Sequence, residues 1–364
     1  MNIETPGMVI DIEKVIHNIK KFQIYANRLG MFLRPHIKTH KIIELAKLQI
    51  KMGARGILCA KISEAEVMFA GGIDDIFVAY PIIGENKIKR LLSLNKKAKI
   101  IVGVDSYEGA MALSDAAFAQ EQRIEVRIEI DTGMRRTGVP VEKVAALAKS
   151  IKDLPGLNIT GIYTYKSAIL NGKATDDYKA AADEEDRLMQ KAAGLMKAEG
   201  LNVSEIGGGS TSTAEYMSSG VLTEMHVGTY IFADAKRVKS GSATLEECAA
   251  CVHVTVVSVS PGRAIIDGGV KAFGGDMKGD TPPLFLKGYG IVRGYPDLKF
   301  SSMTEEHGVL ESEDGTDTGL QIGQVLQIVP NHICSAINLY NYVYVLRENS
   351  VLEKVNVDCR GMSY

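Results

Sequence analysis

The chain has 364 residues, 42 Lys and Arg against 44 Asp and Glu, a net charge of -2, and 46% hydrophobic residues. This balance gives no basic field for nucleic acid, and the length exceeds a typical single domain, so a large domain plus a smaller one is expected. Five cysteines make no secreted disulfide framework, residues 1–6 carry no signal-peptide pattern, and no run of 18 apolar residues occurs, so a soluble cytoplasmic protein is expected.

Residues 7–11 read as a strand that joins a later β region. Residues 12–28 have helical periodicity, and 42–52 follow suit. Short apolar strands are expected at 56–60, 75–79, 98–104, 124–130, 157–163 and 203–206. Helices are expected from 63 to the stop at Gly71-Gly72, and at 85–94, 106–119, 141–151 and 176–199. Short, largely apolar strands alternating with helices imply a parallel sheet covered by helices. About eight such units fit a closed TIM-type (β/α)8 barrel better than an open sheet.

After about residue 240 β-branched residues dominate, as in 251–259, 264–267, 325–328, 343–346 and 351–357. In the run 325–328, Leu326 and Ile328 share one face. This predicts a separate, mostly β domain, with barrel residues 12–238 and a β domain of 1–11 plus 239–364. The glycine-rich run 274–283 reads as irregular.

Chemistry concentrates at four places. Arg34-Pro35-His36-Ile37-Lys38-Thr39-His40-Lys41 crowds five basic side chains into eight residues. A lysine beside other cations is a candidate for covalent chemistry with a carbonyl, and Lys38 faces inward if the segment is a strand. A basic strand end facing solvent is the competing reading. Asp131 to Gly138 ends a strand, where charged residues at a barrel mouth read as active-site groups or as an ion pair closing the rim. Gly207 to Thr213 follows a strand with glycines and hydroxyls suited to a phosphate, the alternative being a flexible turn, and Gly228-Thr229-Tyr230 is a second such edge. His332-Ile333-Cys334 places imidazole and thiol two apart, on one side if the segment is a strand, where a metal ion can take both.

Together and in this order, these segments resemble the D-threonine aldolase and D-serine dehydratase family, whose barrel is related to alanine racemase. The resemblance runs from Thr5-Pro6 through Thr223-Glu224, Asp234, Asp267-x-Gly269 and Glu306-His307-Gly308 to Pro330-Asn331-His332-x-Cys334. It implies a pyridoxal 5'-phosphate enzyme in which Lys38 forms the covalent link to the cofactor and Arg136 lies near its ring nitrogen. Gly209, Ser210 and Thr211 would cradle the phosphate, with His36, Tyr165, Gly228, Thr229 and Tyr230 as further contacts. Lys38 and Tyr165 are the expected catalytic residues. His332 and Cys334 would bind a divalent metal, zinc for a soft thiolate or else manganese.

Family members commonly carry Tyr-x-Gly-His where this chain has Tyr165-Lys166-Ser167-Ala168. Lys166 is then a possible anion contact or a solvated loop lysine. The lost histidine, together with Cys334, points to dehydration of a D-serine-like substrate to a 2-oxo acid and ammonia. D-threonine-type aldol cleavage, amino-acid racemisation and cofactor binding without turnover are the alternatives. A homodimer with shared active sites is the expected assembly, with a small D-amino acid as substrate and neither nucleic acid nor membrane as partner.

Overall fold

The computed structural model describes residues 3–201, 203–277, 279–282, 284–348 and 352–364. One compact unit comprises residues 22–38, 43–228 and 362–364, and the other comprises residues up to Lys21 with 39–42 and 229–361. No helix among the described residues is long and apolar enough to cross a membrane.

The helix Ile12–Arg28 and the strand Leu157–Tyr163 have the bounds that periodicity gives. Other elements shift by a residue or two, for identifiable reasons. Ser106 and Asp177 are caps, accepting the Gly109 and Ala180 N–H groups, so Tyr107–Phe118 and Tyr178–Ala198 start one residue after them. The expected helix at 141–151 opens as a 3-10 turn, Val141–Lys143, before Val144–Ile151. The strand expected at 203–206 instead spans Glu205–Gly208 and takes in two of the glycines.

In the first unit nine strands run parallel among the described residues: eight follow the order Phe32–Leu33, Glu224–Met225, Glu205–Gly208, Leu157–Tyr163, Ile124–Asp131, Lys99–Val104, Asp75–Pro81 and Ile57–Cys59, and Val139–Pro140 pairs with Ile124–Asp131 beside this path. A parallel bridge between His36 and Leu58, with Leu58 N–H donating to the Pro35 carbonyl at 2.8 Å, links the two ends. The barrel is closed, so no sheet edge is left bare.

Its interior is layered by strand position. Asp75, Glu205 and Glu224 open their strands, and Glu224 accepts from Arg34 and Arg127 while Arg34 also pairs with Asp75. Glu224 further bonds His226 Nε2 at 3.1 Å. Burial alone would raise the Glu224 carboxyl, but His226, Arg34 and Arg127 hold it far below the carboxylate range. Above this charged layer, Leu58, Phe77, Ile101 and Tyr163 form an apolar plug.

The second unit is a mostly β structure. Ala250–Ser260 is its centre, pairing antiparallel with Gly7–Asp11, Arg263–Ile266 and Val325–Pro330. Gly7–Asp11 also pairs parallel with Tyr342–Leu346, which in turn pairs with Leu352–Asn356. Val351, the expected first residue of that last strand, lies outside the described residues, as does Pro283 at the end of the irregular run. Leu326 and Ile328 are both buried, as the alternation requires.

Removing one partner of a buried ion pair strands the other charges. Glu224→Gln is therefore expected to cost about 3–5 kcal/mol of stability, measured by urea unfolding. A variant as stable as the parent would show that the network does not hold this end of the barrel.

Candidate active site

The loop 131–138 leaves the C-terminal end of the strand Ile124–Asp131, and three carboxylates shape it. Asp131 Oδ1 accepts the N–H groups of Gly133 at 2.9 Å and Arg135 at 3.1 Å. Glu129 Oε1 accepts the Thr137 hydroxyl at 2.9 Å, and Asp105 Oδ2 accepts the Gly138 N–H at 3.0 Å. Arg135 is in the left-handed region at φ 53°, a conformation these bonds must hold in place. The next residue, Arg136, has its guanidinium carbon 5.2 Å from the Tyr165 ring centroid. Lys38 Nζ lies 5.2 Å from the same centroid. Three residues singled out in the sequence thus meet at one aromatic ring, at cation–π range.

The segment carrying Lys38 is not a strand, so the condition for reading Lys38 by strand alternation is not met. The strand stops at Leu33, and Ile37–Thr39 is a 3-10 turn with the Lys38 N–H directed to His36 Nδ1 at 3.3 Å. Pro35 cannot donate to a ladder, so regular pairing ends there. Nor is it a basic end facing solvent, because Arg34, His40 and Lys41 are buried.

Glu129 and Tyr163 belong to this cluster, although the sequence reading did not single them out. The Tyr163 hydroxyl donates to Glu129 Oε2 at 2.9 Å. It reaches across because residue 103 is glycine, where an added Cβ would sit 2.1 Å from that hydroxyl oxygen. Burial raises the Glu129 carboxyl above its ordinary value against the pull of the Thr137 and Tyr163 hydrogen bonds. The one available signal was the alternation of Arg127, Glu129 and Asp131 in a strand otherwise rich in Ile and Val.

The glycine-hydroxyl segment forms a buried turn rather than a flexible one. Gly209 sits at φ 89°, and a Cβ there would lie 3.2 Å from Met217 Sδ, so a side chain is disfavoured on both counts. Ser210, Thr211, Ser212 and Thr213 are all buried, with Ser210 Oγ 2.9 Å from Thr213 Oγ1. The Gly209 N–H donates to Glu185 Oε1 at 2.8 Å. Burial pushes Glu185 up to about 7, and its Oε2 has no hydrogen-bond partner among the described residues. A close-approach glycine, clustered hydroxyls, an amine and a guanidinium at one aromatic ring make a donor set that fits a phosphorylated aldehyde.

Lys166 is not a solvated loop lysine. It is fully buried, 2.7 Å from Glu184 Oε2, and also donates to the Ile169 carbonyl.

In the second unit His332 and Cys334 are not on a strand. The strand Val325–Pro330 ends at its proline, the Asn331 amide turns to donate to the Gly288 carbonyl at 2.8 Å, and Ile333–Ile337 is a short helix with His332 at its cap. Asp234 Oδ2 accepts the Ile333 N–H at 3.3 Å. The two side chains meet all the same. Burial opposes charge on His332, but Asp276 on Nδ1 and the Cys334 sulfur outweigh it and raise the imidazole. Burial also opposes a Cys334 thiolate, yet His332, Thr39 and Thr229 bring the thiol below its usual value. Thr39 Oγ1 is 3.2 Å from Cys334 Sγ, and Thr229 Oγ1, expected as a cofactor contact, is 3.6 Å from it. Tyr230 is buried in the same turn, Thr229–Ile231. Among the described residues no group of three or more His, Cys, Asp and Glu is placed to hold a metal. The pair itself, with a carboxylate orienting the histidine, is the donor chemistry of a thiophilic cation with open positions.

Residues 10–236 match the family "Alanine racemase, N-terminal domain", and residues 249–346 match the "Putative serine dehydratase domain". The chain belongs to the alanine racemase N-terminal domain family. It is 32% identical to a D-threonine aldolase of Arthrobacter sp, over 99% of this chain and 94% of that one. The solved D-threo-3-hydroxyaspartate dehydratase from Delftia sp. HT23 superposes with a TM-score of 0.90 at 29% identity, covering 98% of this chain and 97% of that one. A D-threonine aldolase from Filomicrobium marinum gives 0.87 at 26%, covering 100% and 97%. A cysteine-to-alanine variant of a D-threo-3-hydroxyaspartate dehydratase, solved in the metal-free form, also gives 0.90.

Glu185 predicts a pH signature. With a folded-state pKa of about 7, above the ordinary 4.5, the buried acid is harmless while protonated in both states. As pH rises through that window the unfolded chain releases its proton first, so stability falls by up to about 3 kcal/mol and then levels off. Glu185→Gln is expected to remove this slope, so that its melting temperature gains on the parent between pH 5 and 7.5. Parallel profiles would refute a buried, titrating Glu185.

Proposed function

We propose that the chain is a pyridoxal-phosphate-dependent, metal-assisted lyase of D-configured β-hydroxy amino acids, with dehydration to a 2-oxo acid and ammonia as its main reaction. The observation that carries this is the meeting of Lys38 and Arg136 at the Tyr165 ring. The buried hydroxyl turn after Gly209 lies in the same unit.

Bound there, the cofactor supplies an electron sink for bond breaking at the substrate's Cα. Lys38 would be the amine that holds the cofactor, and the same amine would serve as the base for the Cα proton. The Tyr165 ring supplies a flat face to which both cations are held. Arg136, always charged, disfavours protonation of a nitrogen beside it. The Ser210 and Thr211 hydroxyls, His36, Gly228 and the turn Thr229–Ile231 complete the proposed cofactor contacts. His332 and Cys334 would hold a divalent cation, zinc by ligand softness, which as a Lewis acid favours departure of a hydroxyl.

Cys334 and the buried state of Lys166 both favour dehydration. Lys166 is spent on Glu184 and does not replace the histidine associated with the substrate hydroxyl in the aldolases. Aldol cleavage to glycine and an aldehyde is the second reading, favoured by the D-threonine aldolase at 32% identity. We also infer a cytoplasmic homodimer; only five cysteines in 364 residues support the reducing compartment, and family membership supports the assembly.

Lys38→Ala is expected to lose the visible absorbance of bound pyridoxal phosphate, and a retained band would remove Lys38 from its assigned role. Incubation with D-serine, D-threonine and D-threo-3-hydroxyaspartate should release ammonia and a 2-oxo acid in excess of glycine and aldehyde. Glycine in excess would replace dehydration by aldol cleavage. Chelation, or Cys334→Ala, is expected to reduce turnover at least tenfold with the cofactor still bound. Full turnover in verified metal-free protein would end the metal assignment.

A further inference from the structure

Two loops proposed to contact the cofactor are gripped by neighbouring positions of one helix, Tyr178–Ala198. Glu184 pairs with Lys166 at 2.7 Å, and Glu185 accepts the Gly209 N–H at 2.8 Å. Successive helix residues point about 100° apart, so adjacent acids can serve different loops. Lys166 is fully buried and Glu185 is 1% exposed, so neither contact is a screened surface pair.

Tyr165 is clamped from both sides. Before it, the Thr164 N–H donates to the Gly207 carbonyl at 3.0 Å and its hydroxyl to the Ile130 carbonyl at 2.8 Å. After it, Lys166 is fixed by Glu184 and by the Ile169 carbonyl. The ring cannot shift far without disturbing a buried charge. At the second loop, Glu185 holds the first residue of the buried hydroxyl turn while its Oε2 makes no hydrogen bond among the described residues. An apolar side chain would avoid the cost of that idle oxygen, so the service the acid renders is to the Gly209 N–H.

We propose that Glu184 and Glu185 are positioning residues for the cofactor: Glu184 sets the ring side through Lys166 and Tyr165, and Glu185 sets the phosphate side through Gly209. The inference rests on the pyridoxal phosphate reading. It gives a role to Lys166, which follows Tyr165 just before Ser167 and Ala168 depart from the Tyr-x-Gly-His pattern, as half of a clamp.

The test uses two probes, pyridoxal phosphate and phosphate-free pyridoxal, with dissociation constants read from visible absorbance and a thermal melt for each protein. The double variant Lys166→Met/Glu184→Leu removes both members of the ion pair together, so the melting temperature should stay near the parent's while both probes bind about tenfold more weakly with their ratio unchanged. Glu185→Leu should lose about tenfold of the preference for the phosphorylated probe, and Glu185→Gln, which keeps an acceptor for Gly209, should retain it. Parent-like binding by the double variant, or losses that track melting temperature throughout, overturn the proposal. A parent protein that binds neither probe overturns the cofactor reading itself, which is a separate and recognisable result.

Discussion

The grip of Glu224 on Arg34 and Arg127 is the constraint from which the barrel's geometry follows. The first barrel strand is only two residues long, too short to fix its own register by backbone bonds. Arg34 follows it at once and is pinned by Glu224 and Asp75, which begin two other strands. From that anchor the chain runs through Pro35 and His36, bridges to Leu58, and turns into Ile37–Thr39. Lys38 lies in that turn, four residues after the anchored Arg34. A buried ion pair is a weak source of net stability, and what this one contributes is register.

Charge serves a different purpose at the strands' C-terminal ends. There Glu129, Asp131 and Asp105 accept from backbone and hydroxyl donors of the 131–138 loop, shaping it around Arg136. The apolar plug of Leu58, Phe77, Ile101 and Tyr163 lies between the two charged layers. This separation lets one set of acidic groups hold the strand starts while another shapes the loop that carries Arg136.

Much of this was legible in the sequence. Strand and helix alternation gave the barrel, because buried parallel strands are short apolar runs that caps and glycines separate cleanly. Lys38, Arg136 and Tyr165 could each be singled out in the sequence, though they come from three distant segments and their meeting at one ring is visible only in the fold. What was not legible depended on long-range contact. Nothing local to Lys166 announces that Glu184 will bury it, and nothing in the helix run around Glu185 marks that acid as bonded to Gly209. At 34–41 and 332–334 strand alternation does not apply, because Pro35 and Pro330 end the regular pairing just before the functional side chains. Asp276, which orients His332, sits in an irregular glycine-rich stretch that no periodicity could place.

The crossing of the Tyr163 phenol over residue 103 has an evolutionary corollary. A methyl group at that glycine would evict the ring, and eviction would leave Glu129 short of a donor in a dry setting. Loss of the acid would likewise orphan the phenol. These three positions, on three different strands, form a heritable block: drift at any one is punished unless the others move with it. In an alignment of close relatives they should therefore vary in concert or not at all.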